Sequence, residues 1–216
     1  AMFDLLRSTI EWQNWGWNTL TVSFVATIFL TLLHMWGVSK QREAIWIGKS
    51  GESVSVKLFS FMCALFVVFF IYGVIKRSAA MIANSLLFFS YLPAVIGLWK
   101  FKGFTKLEKW LAVVFLVMIL AILILPWKDI IFMIIVLGGV LPVATQTWEI
   151  RKEGKAGALN IRFVFVFLLA SVFWAIYGFA IHSLTLKLAS SLGTFFLIIT
   201  ILLWHKYRKL ERVSLG

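Results

Sequence analysis

The sequence predicts an all-α integral membrane protein of seven transmembrane helices, arranged as two parallel three-helix repeats joined by a linker helix. Composition, the spacing of charge-free stretches and a self-match at a fixed offset predict it. Of 216 residues, 62% are hydrophobic and only 14% charged, with a mean hydropathy of +0.96. A soluble domain carries about a quarter charged residues. The bilayer is therefore the solvent this chain suits, and its length suits one domain. The single cysteine, Cys63, excludes an intrachain disulfide and reads as a small buried hydrophobe.

The chain opens with a mixed-charge, Trp-rich stretch in which Phe3, Leu5, Leu6 and Ile10 form a weak amphipathic pattern. Residues 1–18 are expected to lie along the outer membrane surface. The apolar run after them is too long for a signal peptide and lacks a small-residue cleavage site, so it reads as a span. Charge-free stretches run Thr19–Val38, Leu58–Ile75, Ser78–Trp99, Trp110–Trp127, Ile130–Trp148, Phe163–Ile181 and Leu188–Trp204. Each holds roughly 17 to 22 residues, enough for a helix to cross a hydrocarbon core of about 30 Å with its backbone hydrogen bonds satisfied internally. Trp36, Trp99, Trp110, Trp127, Trp148 and Trp204 stand near span ends, where indoles favour the headgroup boundary.

Charge sets the orientation. Of the 21 Lys and Arg residues, only Arg7, Lys76, Arg77, Lys128 and Lys187 fall on the side of the N-terminus; the rest fall in the alternate loops and the C-terminal tail. The positive-inside rule then places the N-terminus outside and the C-terminus in the cytoplasm. Topology and anionic membrane lipids account for the net charge of +12, so nucleic acid is not an expected partner.

Slid against itself by 105 residues, the sequence matches without gaps. Ile71-Tyr72-Gly73 meets Ile176-Tyr177-Gly178, Gln41 meets Gln146, Ile45 meets Ile150, Ser78 meets Ser183, Ser85 meets Ser190 and Trp99 meets Trp204. The repeat holds three spans, and three spans reverse orientation. An unpartnered fourth lets the second triplet point the same way as the first, as in transporter folds built of parallel repeats. The expected organisation is a segment at 1–18, a first repeat at 19–102, a linker helix at 103–128, a second repeat at 129–207 and a cytoplasmic tail at 208–216.

The stretch after each matched glutamine carries a resemblance. The first copy reads Gln41-Arg42-Glu43-Ala44-Ile45-Trp46-Ile47-Gly48-Lys49-Ser50-Gly51-Glu52; the second reads Gln146-Thr147-Trp148-Glu149-Ile150-Arg151-Lys152-Glu153-Gly154-Lys155-Ala156-Gly157. Each runs on into an apolar helix ending in Tyr-Gly. This arrangement resembles the PQ-loop/SWEET superfamily over nearly the whole chain, as a divergent member. Lys40 and Thr145 stand where the family carries the proline of its Pro-Gln pairs, while Pro142, preceded by Gly138 and Gly139, stands three residues earlier. The family's proline serves as a hinge, which implies a displaced hinge at Pro142 and a softer joint at Gly37, its counterpart in the first copy.

The resemblance also implies a solute pocket. Phe69 and Trp174 fall at its aromatic positions, where flat apolar rings stack on sugar faces. Asn84 falls at or beside the asparagine position of the first repeat, with Ser85 next to it, and the second repeat offers Ala189, Ser190 and Ser191. An asparagine in mid-bilayer needs a partner or a wet cavity, so Asn84 either lines a pocket or bridges helices. Tyr72 and Tyr177 lie near the outer interface, and Gln41 and Gln146 near the cytoplasmic ends, as gating or packing positions.

None of the nine Asp and Glu residues falls inside a span. That argues against a proton-coupled carrier, because an intramembrane acid usually carries protons or ions. His34 is the one titratable residue within a span edge, read as an interfacial polar group. No metal-ligand spacing, nucleophile elbow or phosphate-cradling loop is present, so neither an enzyme nor a cofactor is expected. The last span lacks the mid-helix lysine a retinal protein needs. Two functions remain: a facilitative, uniport-like transporter of a small neutral solute, a sugar first, or a non-transporting receptor or lipid-binding scaffold. Parallel triplets suit a monomer, while membrane-facing Phe and Leu surfaces suit a homo-oligomer.

Overall fold

The computed structural model describes Asp4 and residues 7–49, 56–154 and 161–213. The Lys-Ser and glycine stretches after the two glutamines fall largely in 50–55 and 155–160, outside the described residues. For Pro142 and Gln146 the backbone alone is described.

Every regular element among the described residues is helical: α1 (Ile10–Gln13), α2 (Thr19–Gly48), α3 (Val56–Lys76), α4 (Ala79–Asn84), α5 (Leu87–Phe101), α6 (Lys106–Ile124), α7 (Lys128–Gly138), α8 (Val140–Glu153), α9 (Ile161–Ala180) and α10 (Leu184–Val213). Five helical stretches among the described residues are long and apolar enough to cross a membrane: α2, α3, Ala79–Phe101, α6 and Leu184–Leu210. Val164–Ala180 is a shorter apolar helix. Along them Phe29, Leu32, Phe89, Leu116, Val117, Phe195 and Leu202 are exposed, an apolar surface that lipid accommodates and water does not. The chain is an integral, multi-pass membrane protein.

Two expected spans are interrupted. Ile130–Trp148 falls on α7 and α8, with a turn at Gly139. Pro142 has no N–H to offer the carbonyl four residues back, which is that of Gly138, and the glycine pair imposes little cost on the break. Ser78–Trp99 falls on α4 and α5. At their junction Leu86 N–H bonds to Ala83 O and Phe88 N–H to Ser85 O, tightened i→i+3 bonds, while the Ser85 hydroxyl donates back to Ile82 O.

Helix ends follow the sequence locally. Asn18 caps α2 by accepting from Thr21 N–H at 2.9 Å. Thr105 and Glu108 form a reciprocal capping box on α6. At its other end Lys128 Nζ donates to the carbonyls of Ile122 and Leu123 at 2.8 and 3.0 Å, where the helix dipole favours a cation.

The chain divides into two compact units, Ala1–Ile135 and Val136–Gly216. In the first, α5 packs against both α2 and α3, and α6 lies along α3. Its core joins Val38, Cys63, Phe66, Leu87 and Tyr91, with a second cluster of Ile45, Val56, Ala94 and Leu98. In the second unit, α10 packs against both α8 and α9, around Val164, Leu197 and Ile201.

The turns from α3 to α4 and from α9 to α10 share one geometry, 105 residues apart. Arg77 and His182 take left-handed φ values of 51° and 55°. Ser78 N–H donates to Gly73 O at 2.8 Å, and Ser183 N–H to Gly178 O at 2.9 Å, the long bond of a Schellman cap. The same serines then cap the next helix, accepting from Met81 N–H at 3.2 Å and Leu186 N–H at 3.4 Å. Farther along the offset, Lys49 and Gly154 close α2 and α8 with φ of 45° and 63°.

Candidate functional site

α4 is six residues long and held at both ends. At its start the Glu11 carboxylate accepts from Ser78 Oγ at 3.0 Å, Ala79 N–H at 2.9 Å and Ala80 N–H at 3.0 Å. Ile10 N–H donates to Arg77 O at 2.9 Å beside it, and Glu11 is only 1% exposed. At the other end of α4 stands Asn84, also buried. Its Oδ1 lies 2.9 Å from Thr31 Oγ1 on α2, and Thr31 Oγ1 lies 2.8 Å from Thr27 O. The threonine has one proton for two acceptors. Given to Asn84, it leaves the amide N–H₂ free; given to Thr27, it requires the flipped amide to donate to Thr31 and leaves the amide oxygen free. In either state half of the Asn84 amide remains for a ligand.

Within Asn84's unit an aromatic row joins α3 to the first turns of α7. Phe66 and Phe69 rings lie 6.4 Å apart, Phe69 and Phe132 5.5 Å, and Tyr72 stacks on Phe132 at 3.7 Å and 7°. The Tyr72 hydroxyl donates to Asp129 Oδ1 at 2.7 Å, and Lys76 Nζ lies 2.8 Å from the same oxygen. Lys76 first, then the Tyr72 hydroxyl, holds the Asp129 carboxyl below the ordinary carboxylate range.

A depressed pKa stabilises the fold above the ordinary aspartate value of about 4 and loses that contribution as pH falls through the lower folded value. The pair is largely exposed, so Asp129→Asn should cost under about 1 kcal/mol at pH 7. Thermal unfolding of both proteins against pH should show the difference vanishing in acid; a difference that persists there would assign it to packing.

Phe69 is thus buried among aromatic neighbours. His34, expected as an interfacial group, has its Nε2 2.8 Å from the Tyr91 hydroxyl, with its ring edge-on to Phe66 and Tyr91. In the second unit Trp174 sits edge-on to the fully buried Tyr177 at 5.5 Å. The Ser171 hydroxyl donates to Ser190 O at 2.9 Å, so Ser190 contributes its backbone to this contact. Thr147 and Thr200 hydroxyls meet at 2.7 Å. α2 runs without interruption through Gly37 and Gln41.

Glu11, Thr31, Asp129 and Tyr91 were not singled out by the sequence. Thr31 and Tyr91 sit within apolar runs, and Glu11 has partners 67 to 69 residues away. Asp129 stands beside the edge of a charge-free stretch, and that position was its available signal.

No known protein-family model matches this chain, and no curated protein sequence matches it. A solved structure of a eukaryotic SWEET transporter does match, with a TM-score of 0.68 and 13% sequence identity, over 88% of this chain and 97% of that one. The chain therefore has a SWEET-like fold.

Proposed function

We propose that this SWEET-like chain is a facilitative, uniport-like transporter of a small neutral solute, a sugar first, working by alternating access between two three-helix repeats. Likeness of fold to a SWEET transporter along nearly the whole of both chains carries the reading. On it, residues 19–102 and 129–207 are the repeats, 103–128 the linker, and the N-terminus lies outside with the 208–216 tail in the cytoplasm. The matching turns at Arg77 and His182 support the repeat.

Asn84 is the polar anchor of the solute site, because half its amide remains for a hydroxyl. Phe69 and Ser85 accompany it in the first repeat; Trp174 and Ser190 are the candidate positions of the second. Tyr72, held by Asp129, and Tyr177 act as gate positions. Pro142, Gly37, Gln41 and Gln146 serve as hinge or gate positions at the other end. With no acid inside the expected spans, the movement is passive.

The test is counterflow of labelled glucose and sucrose into proteoliposomes held at equal pH on both sides. Saturable exchange without a proton gradient is the expected result. No exchange of either by folded protein would remove the sugar reading, and lipid retained through detergent exchange would then favour a lipid-binding scaffold.

A further inference from the structure

We propose that residues 10–18 form a bilayer-interface anchor, with the headgroup layer as its partner and Glu11 as its clamp to the first unit. Trp12 and Trp15 are each 60% exposed and Trp17 is 100% exposed, yet the backbone beneath them is fixed. Asn14 Nδ2 donates to Ile10 O and Asn18 Nδ2 to Asn14 O, both at 2.8 Å. Trp15 packs edge-on to Phe24, a residue of α2. The side chains thus sorted outward from 12 to 18 are indoles and amides without a charge, a composition that suits the boundary between hydrocarbon and water. The apolar stretch of α2 begins at Thr19, so chain continuity sets the segment at that boundary. Arg7 and Arg77 are exposed near it, and Arg77 is tied to it through Ile10; both match the charge of lipid phosphates.

The clamp gives the anchor a consequence. Glu11 holds the first turn of α4 by three hydrogen bonds, and α4 ends at Asn84. The bilayer surface is thereby coupled through a six-residue helix to a buried amide. This inference goes beyond the transport reading and stands without it.

A nitroxide introduced by Gln13→Cys, an exposed position, tests it in vesicles of phosphatidylcholine and phosphatidylglycerol. Labelled wild type sets the background from the buried Cys63. The spectrum should show slow motion and a depth at the headgroups, shielded from an aqueous nickel complex. Replacing Trp12, Trp15 and Trp17 together by Ala should abolish the shielding and lower the thermal midpoint in detergent by only a few degrees, the share of the Trp15–Phe24 contact. Glu11→Ala, or Glu11→Gln should the first variant not fold, should convert the label to fast motion. A parent label fully open to nickel, or shielding that survives loss of all three indoles, overturns the anchor. Shielding accompanied by spin–spin broadening that dilution with unlabelled protein removes assigns the surface to a second copy and overturns the lipid partner. Slow motion unchanged in both Glu11 variants overturns the clamp.

Discussion

Gly178→Ala should lower the thermal midpoint and the yield of folded protein sharply, and Gly73→Ala should come close. A Cβ on Gly178 would stand 2.7 Å from Leu186 Cβ, 3.0 Å from Lys187 N and 3.1 Å from Leu186 C; on Gly73 it would stand 2.9 Å from Met81 Cβ and 3.0 Å from Ile82 N. These obstacles are backbone and Cβ atoms, which cannot swing aside as the end of a long side chain can. The Schellman turn itself must open, lifting α10 from α9 or α4 from α3. Overpacking in a core costs about 1–3 kcal/mol and occasionally more, and the rigid neighbours here put the cost at the upper end. Against a total stability of about 5–15 kcal/mol, that removes about a fifth or more of it, a large drop in the thermal midpoint. Gly37→Ala is the control, since a Cβ there meets nothing within 4 Å and helix propensity favours alanine by about 1 kcal/mol. Monodisperse yield and thermal midpoint in detergent are the readouts. Midpoints for the Gly73 and Gly178 variants equal to that of Gly37→Ala would show that the turns yield freely.

The same turns explain which parts of the fold were legible in the sequence. A helix that reverses within a few residues needs a small residue where the two helices touch and a hydroxyl to cap the next one. Gly73 with Ser78, and Gly178 with Ser183, repeat that requirement at a spacing a self-comparison finds. Apolar length pointed to the five described stretches long enough to cross a bilayer for an equally physical reason: the bilayer fixes how many residues a helix needs. What the sequence concealed depends on partners far along the chain. Glu11 belongs to a Trp-rich surface stretch by composition, yet its three donors lie beyond two helices. Thr31 resembles any helical threonine bonding its own backbone, and nothing local says that its oxygen also reaches Asn84. Pro142 was legible as a disruption, but the break appears at Gly139, because the acceptor a proline leaves empty lies four residues back. Among the expected site residues, the resemblance pointed to Asn84, and the cost of an amide in lipid said only that it needs a partner or a wet cavity. The role of Ser190's carbonyl is invisible to any reading of side-chain types.

Asn84→Ala should separate transport from stability. In the membrane an interhelical side-chain hydrogen bond contributes about 0.6 kcal/mol on average and at most about 1.7 kcal/mol. Here the loss falls toward the lower figure, because Thr31 keeps Thr27 O as an acceptor at 2.8 Å and no buried donor is stranded. The thermal midpoint should therefore move by only a few degrees. A solute bound through the free half of the amide loses its polar contact altogether. With about 1.4 kcal/mol per tenfold in affinity, the loss of one or two hydrogen bonds at about 1 kcal/mol each lowers saturable exchange by roughly 5- to 30-fold. Thr31→Val tests the same geometry from the other side: Asn84 is kept, but the group that orients it is gone. That variant should raise the half-saturating solute concentration while leaving the maximal rate near wild type, and Thr31→Ser should restore it. Full exchange by Asn84→Ala, with the midpoint lowered, would make this residue a bridge between α2 and α4 and move the solute site elsewhere. Lost exchange at a preserved midpoint would make its amide part of the transport path.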